Sequence, residues 1–231
     1  FWNMIDINYE DEPRKKLIDK NSHLRIMTDF LLTKKKPIIL EFGVERGLST
    51  NIFIWLAEQV GGKVYSVDID DCSKVASSEH WHFLQSDDLK IEYILSKFPE
   101  IKDQGVDLIY IDSYHENFHV QKLIMLWFKY LKKEGAIFVD DIDSEPFRKK
   151  KDIWNSIVYD LTDEAIKDFY YSNKENVFYT RYFGENGLAK LLKLTELYRE
   201  PNEVKKIWSY NIFIKIAYPY LRKIKKLFKF R

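Results

Sequence analysis

Pro37-Ile-Ile-Leu-Glu41-Phe-Gly43-Val-Glu-Arg-Gly47-Leu-Ser49 is an apolar run that breaks at two glycines and resumes as a helix-compatible segment. A short run that is almost wholly apolar, bounded by Pro37 and Gly43, predicts a strand buried on both faces, as in a parallel sheet. Gly43 and Gly47 permit a tight turn and close backbone approach to a ligand. Ser49 to Val60 then predicts a helix. Strand, glycine turn and helix together open a βαβ unit.

The same alternation continues outward from this stretch. Lys63-Val-Tyr-Ser-Val-Asp68, Trp81-His-Phe-Leu-Gln85, Val106-Asp-Leu-Ile-Tyr-Ile111 and Ala136-Ile-Phe-Val139 predict strands two to five. Leu17 to Leu32 predicts an amphipathic helix before the first strand. His115 to Lys132 predicts a helix closed by Lys132, Lys133 and Gly135. A further helix is expected near Pro146–Leu161. Ala165–Tyr171 and Val177–Phe183, rich in aromatics and separated by Ser-Asn-Lys-Glu-Asn, predict an antiparallel hairpin. Beyond Gly184 and Gly187 the chain reads as helical to its end. The fold class is therefore α/β, a doubly wound and mostly parallel sheet with a closing hairpin, an N-terminal helix and a C-terminal helical extension.

Charge divides the chain of 231 residues into two parts. Residues 204–231 hold nine Lys/Arg and no Asp or Glu, which leaves 28 basic against 36 acidic residues elsewhere, a net of −8. A body over 1–203 and a basic amphipathic extension over 204–231 are the expected units. The acidic body argues against nucleic acid as a partner, because phosphate contacts need clustered Lys/Arg. In the extension, Phe213, Ala217, Tyr220, Ile224, Leu227 and Phe228 share one helical face, and lysines and Arg222 share the other. That pattern predicts peripheral contact with a membrane, or an apolar face packed on the body or on a second subunit. The single Cys72 cannot form an internal disulfide, and Phe1 to Glu12 do not read as a secretory leader. Both point to a cytoplasmic setting.

Parallel α/β sheets bind ligands beyond the carboxyl ends of their strands. An acid stands at or near each of those five ends: Glu41, Asp68, Asp87 and Asp88, Asp112, and Asp140 with Asp141. A plain strand-to-helix turn would also place two glycines at 43 and 47. A dinucleotide loop would read G-x-G-x-x-G and aim a helix N-terminus at a pyrophosphate. Here the loop is G-x-x-x-G, with an acid two residues before it. The ligand is expected to carry positive charge and to lack a pyrophosphate. S-adenosylmethionine, a sulfonium with an ammonium group, has both properties. Asp68, 21 residues beyond Gly47, is placed to accept hydrogen bonds from ribose hydroxyls.

The E-x-G-x-x-x-G-x-S segment, Asp68, the I-D-x-x-H segment at Ile111–His115 and the V-D-D segment at Val139–Asp141 resemble small class I O-methyltransferases. The likeness is to the metal-dependent catechol and caffeoyl-CoA type and to the sugar O-methyltransferases of antibiotic pathways, over roughly residues 37–142. Val44-Glu-Arg46 departs from the small residues common in that loop. The resemblance implies a Rossmann-like methyltransferase sheet and S-adenosylmethionine held by Glu41, Gly43, Gly47, Ser49, Asp68, Asp87, Asp88 and Asp112. It implies Mg²⁺ on Asp112, Asp140 and Asp141. In the catechol type the last ligand is Asn and in the sugar type Asp, so Asp141 favours a sugar or other small polyhydroxy or glycan acceptor.

Three carboxylates converging there would repel one another without a cation, and hard oxygen ligands suit magnesium. The segment Asp140-Asp-Ile-Asp143 also reads as a solvated loop with a helix cap. His115 falls at the spacing of the catechol-type general base, and histidine as a residue type exchanges protons near neutrality. Helix capping, substrate contact, or zinc shared with His119 are its other readings. Asp107 lies at the wrong end of its strand and is expected to be structural. No N-P-P-Y or D-P-P-Y motif of base amino-methyltransferases occurs. The competing functions are a metal-independent N- or O-methyltransferase and a non-catalytic Rossmann domain recruited to membranes by its tail. The acceptor and the homo-oligomeric state are open at this level.

Overall fold

In the computed structural model, residues 22–206 are described. A seven-stranded sheet has the order β3-β2-β1-β4-β5-β7-β6. Its strands are β1 (Ile38–Phe42), β2 (Lys63–Asp68), β3 (Trp81–Gln85), β4 (Val106–Ile111), β5 (Leu131–Asp140), β6 (Val177–Tyr182) and β7 (Leu188–Lys193). The first five are parallel, and β7 and β6 close the sheet antiparallel. Strand order reverses between β1 and β4, so the carboxyl ends of β1, β2, β3, β4 and β5 border one crevice.

The helices are α1 (His23–Leu31), α2 (Leu48–Val60), α3 (Ile91–Lys97), α4 (Pro99–Gln104), α5 (Asn117–Trp127), α6 (Glu145–Lys149) and α7 (Ile153–Ser172). They cover both faces. Ile38, Leu40, Phe42, Ile109 and Ile111 pack with α5 and α7 residues such as Trp127 and Phe169 on one side. Ile39, Leu108, Tyr110 and Phe138 pack with Met27, Ile52 and Phe53 of α1 and α2 on the other. Strand side chains alternate between faces, so Glu41, Tyr110, Asp112 and Asp140 all belong to the face covered by α1 and α2. That parity decides what each can touch.

Several expectations from the sequence are corrected. Ala165–Tyr171 is not a strand but the end of α7. Thr162, Ala165, Ile166 and Phe169 are buried at helical spacing, so the 3.6-residue period outweighed the aromatic content. The hairpin is instead β6 with β7, turning through Gly184 (φ 115°) and Gly187 (φ 81°). Leu188–Lys193 is thus a strand where helix was expected. Pairing along β5 from Asp140 to Ala136 buries Leu188, Ala189 and Leu191 and overrides their helix propensity. The helix from His115 ends at Trp127, and β5 starts at Leu131, before the expected Gly135 stop. Fully buried Lys193 secures that tight reversal by donating to the carbonyls of Phe128 and Leu131, each at 2.9 Å. Residues 194–206 carry no helix. The start of the N-terminal helix at Leu17 and the extension beyond residue 206 lie outside the described residues. Asp107 is structural as expected, accepting from Ile38 N at 2.9 Å and Lys132 Nζ at 2.7 Å.

Candidate active site

A cleft of 1790 Å³ opens at the carboxyl ends of the parallel strands. Of the residues singled out in the sequence, Gly43, Gly47, Ser49, Asp68, Asp87, Asp88, Asp112, His115, Asp140 and Asp141 line it.

Glu41 is brought elsewhere. Its place on the α2 side of β1 sends the carboxylate under the first turn of α2, where it is fully buried. There it accepts hydrogen bonds from Ser49 Oγ at 2.6 Å, Thr50 Oγ1 at 2.7 Å and Ser66 Oγ at 2.7 Å. Burial raises its pKa to about 6, against the lowering effect of the three hydroxyls. Glu41 ties β1, α2 and β2 together beneath the cleft and is not part of its lining. Ser49, whose hydroxyl is committed to Glu41, reaches the cleft only by its remaining surface.

Gly43 has φ 94°, and a Cβ there would stand 2.1 Å from the Asp112 carbonyl oxygen. Its freedom from a side chain thus joins the ends of β1 and β4 as well as opening the cleft. Asp68 ends β2 and gathers the loop from below. Its Oδ2 accepts from Val44 N at 2.7 Å and Glu45 N at 3.2 Å, and its Oδ1 from Asp70 N at 3.0 Å. Burial works against the charge, but these backbone donors outweigh it and hold the pKa below the usual carboxylate range. Asp88 is buried and accepts from Ser113 Oγ at 2.7 Å, with His119 Nε2 at 3.1 Å, linking the ends of β3 and β4. Asp87 caps Leu89 N at 2.8 Å.

The acidic cluster lies across the cleft from this loop. Tyr110 OH donates to Asp140 Oδ2 at 2.7 Å and lies 3.2 Å from Asp112 Oδ2. His115 Nε2 is 3.5 Å from both Asp112 Oδ1 and Asp141 Oδ2. Asp141 adopts φ 58°, a left-handed conformation that Asp tolerates better than most residues. Tyr159 OH donates to its Oδ2 at 2.8 Å. Burial, then repulsion from Asp140 and Asp141, pushes Asp112 up to about 8. Asp140 goes the other way: burial raises its pKa, but the bond and charge of His23 and the Tyr110 hydroxyl outweigh it. His23 Nδ1 lies 2.8 Å from Asp140 Oδ1, and its Nε2 lies 3.1 Å from the Gly184 carbonyl oxygen.

His23, Tyr110 and Tyr159 were not legible as site residues. His23 sits 117 residues from Asp140 with no local pattern around it. The alternative in which His115 and His119 share one zinc ion is not favoured by the geometry, since they turn to different carboxylates. Among the described residues no three His, Cys, Asp or Glu side chains form a ready-made metal cage.

Asp68→Ala should weaken S-adenosylhomocysteine binding roughly ten- to hundredfold, the loss of about 1.5–3 kcal/mol expected for a charged hydrogen-bonding group. Titration calorimetry measures it, and wild-type affinity in the variant would remove Asp68 from the ligand site.

Residues 40–142 match the sequence model of a methyltransferase domain family. No curated protein matches the chain in sequence. Among solved structures, a Staphylococcus aureus protein assigned as a caffeoyl-CoA O-methyltransferase superposes with a TM-score of 0.57 at 15% identity, covering 78% of this chain and 90% of that one. MycE methyltransferase of the mycinamycin biosynthetic pathway, in complex with Mg and S-adenosylhomocysteine, gives 0.53 at 19% identity over 80% of this chain and 50% of its own. CalS11, a TDP-rhamnose 3′-O-methyltransferase of calicheamicin biosynthesis, gives 0.54 at 13% identity over 73% and 76%. At these identities the structural likeness is one of fold. Residues 40–142 therefore match a methyltransferase domain, set in a Rossmann-like methyltransferase fold.

Proposed function

We propose that this enzyme methylates a hydroxyl of a sugar or other polyhydroxy small molecule with the help of a divalent cation. The observation that carries the reading is the convergence of Asp112 and Asp141 on His115 Nε2, each at 3.5 Å, with Asp140 joined to Asp112 through Tyr110. Asp112, Asp140 and Asp141 offer hard carboxylate oxygens, the kind of donor magnesium takes, and burial, then repulsion from its neighbours, raises the pKa of Asp112. Asp112, Asp140 and Asp141 would hold the ion. When bound, the sulfonium donor supplies an electrophilic methyl carbon, and the cation supplies a Lewis acid that acidifies the acceptor hydroxyl.

The chain's own part is positioning and proton transfer. The glycine loop, anchored by Asp68, shapes the donor side of the cleft. Asp112, at the junction of the donor and acidic sides, sets their separation through the Gly43 contact. His115 Nε2 receives the hydroxyl proton as the oxygen–carbon bond forms and the carbon–sulfur pair leaves with sulfur. Asp112 and Asp141 then stabilise the imidazolium.

A second reading is favoured by one feature. His115 Nε2 itself stands between Asp112 and Asp141, an arrangement that makes a carboxylate-supported base without a cation. Release of S-adenosylhomocysteine with nucleotide-sugar and polyhydroxy acceptors, with and without chelator, separates the two. Chelation should lower turnover at least a hundredfold, and added Mg²⁺ should restore it. Asp112→Ala should be inactive and Asp141→Asn partly active. Full turnover in excess chelator would establish the metal-independent reading instead.

A further inference from the structure

The turn before α7 and the first turns of that helix present an exposed apolar surface with three lysines at one end. Trp154 is 82% exposed, Ile153 67% and Ile157 45%. No other large apolar side chain among the described residues is as exposed as Trp154. Spacing of one, three and four residues puts these three on one helical face. The opposite face, with Ser156, Tyr159, Thr162 and Asp163, is buried. Lys149, Lys150 and Lys151 stand exposed just before them, and no acidic side chain pairs with these lysines among the described residues. Arg148, beside them, is committed to Asp160.

The patch is rigidly mounted. Asp152 caps the helix by accepting from Asn155 N at 3.2 Å, Phe147 packs edge-on to Tyr159 at 4.6 Å, and Thr162 Oγ1 donates to the His115 carbonyl oxygen at 2.9 Å. Tyr159, which bonds Asp141, is only about 7.5 Å further along the helix axis than Trp154, at 1.5 Å per residue.

We infer that this patch docks the enzyme on an anionic lipid surface. An indole and two isoleucines beside three adjacent lysines match a membrane interface, where the rings and branched chains enter the headgroup region and the ammonium groups meet acidic lipids. Charge separates this occupant from the others. The body over residues 1–203 carries a net of −8, so three adjacent exposed lysines, with no acidic partner among the described residues, form a local reversal suited to a negative partner. A two-fold contact with a second copy would bring the patch onto itself and set the lysines face to face. Three lysines are too few to track a nucleic-acid backbone. Among the described residues no helix is long and apolar enough to cross a membrane, so the contact is peripheral. It stands independently of the acceptor and of the metal.

Flotation of the full chain with vesicles tests this directly. The chain should float with an equal mixture of phosphatidylcholine and phosphatidylglycerol and stay behind with phosphatidylcholine alone. Combined Lys149→Glu, Lys150→Glu and Lys151→Glu should lower partitioning at least a hundredfold, since each lysine near an acidic surface is worth roughly fivefold. Trp154→Ser should lower it about tenfold. All four positions are exposed, and unchanged S-adenosylhomocysteine affinity in both variants shows that they fold. Failure of the wild type to float would overturn the inference. So would variants that float like the wild type, which would give the contact to residues 204–231. A change in sedimentation coefficient without a change in flotation would assign the patch to contact between copies, and overturn it equally.

Discussion

His115→Ala is expected to lower kcat by about 10²–10⁴ while S-adenosylhomocysteine affinity stays near wild type, the range found when a positioned general base is removed. The separation of the two readouts follows from where the residue sits. Its imidazole reaches Asp112 and Asp141 on the acidic side, whereas the donor loop is held by Asp68 and by backbone around Gly43. The truncation keeps the His115 carbonyl, so the bond from Thr162 Oγ1 that seats α7 survives. A fall in donor affinity that matches the fall in kcat would mean His115 shapes the donor site instead. An unchanged rate would move the base to another group.

The second large effect belongs to Gly43. Gly43→Ala should cost about 2–5 kcal/mol of stability, combining a left-handed backbone that alanine resists with overpacking against the end of β4. Both atoms in conflict are held by the sheet: Asp112 N donates to Phe42 O at 2.9 Å, and Gly43 N donates to Val67 O at 3.0 Å. Relief would separate β1 from β4 and widen the gap between donor loop and acidic cluster, so methyl transfer should fall as well. Gly61 is the matched control. Its φ is 71°, but a Cβ there meets nothing nearer than Lys36 Cγ at 3.7 Å. Gly61→Ala should therefore show only the conformational cost of about 1–2 kcal/mol. Thermal denaturation reads both, and equal shifts for the two variants would show that the Asp112 contact carries no weight.

The parts of this molecule that were readable in the sequence are those set by local pattern. β2, β3 and β4 run between the residues their apolar runs delimit, and their terminal acids meet in one cleft because parallel strands share a carboxyl edge. What was not readable depended on partners far along the chain. Leu188–Lys193 is a strand only because β5 offers an edge, and Asp140 is restrained by His23, 117 residues away. Glu41 shows a third kind of gap. Its position at a strand end suggested a ligand contact, but strand parity turned it beneath α2 to three hydroxyls. Parity together with its place one residue before the end of β1 puts it under the helix, whereas Asp112 and Asp140, on the same face, stand past or at the ends of their strands. The aromatic residues near Ala165–Tyr171 suggested a strand because aromatic content is a weaker guide than the spacing of the buried positions.

One ligand is expected to occupy the cleft between the glycine loop and the acidic cluster. Titration calorimetry of S-adenosylmethionine into the full chain tests that claim most directly. Saturable binding at one site per chain, weakened by Asp68→Ala and preserved in His115→Ala, is the predicted result. The absence of saturable binding by the wild-type chain, or binding indifferent to Asp68, would contradict it.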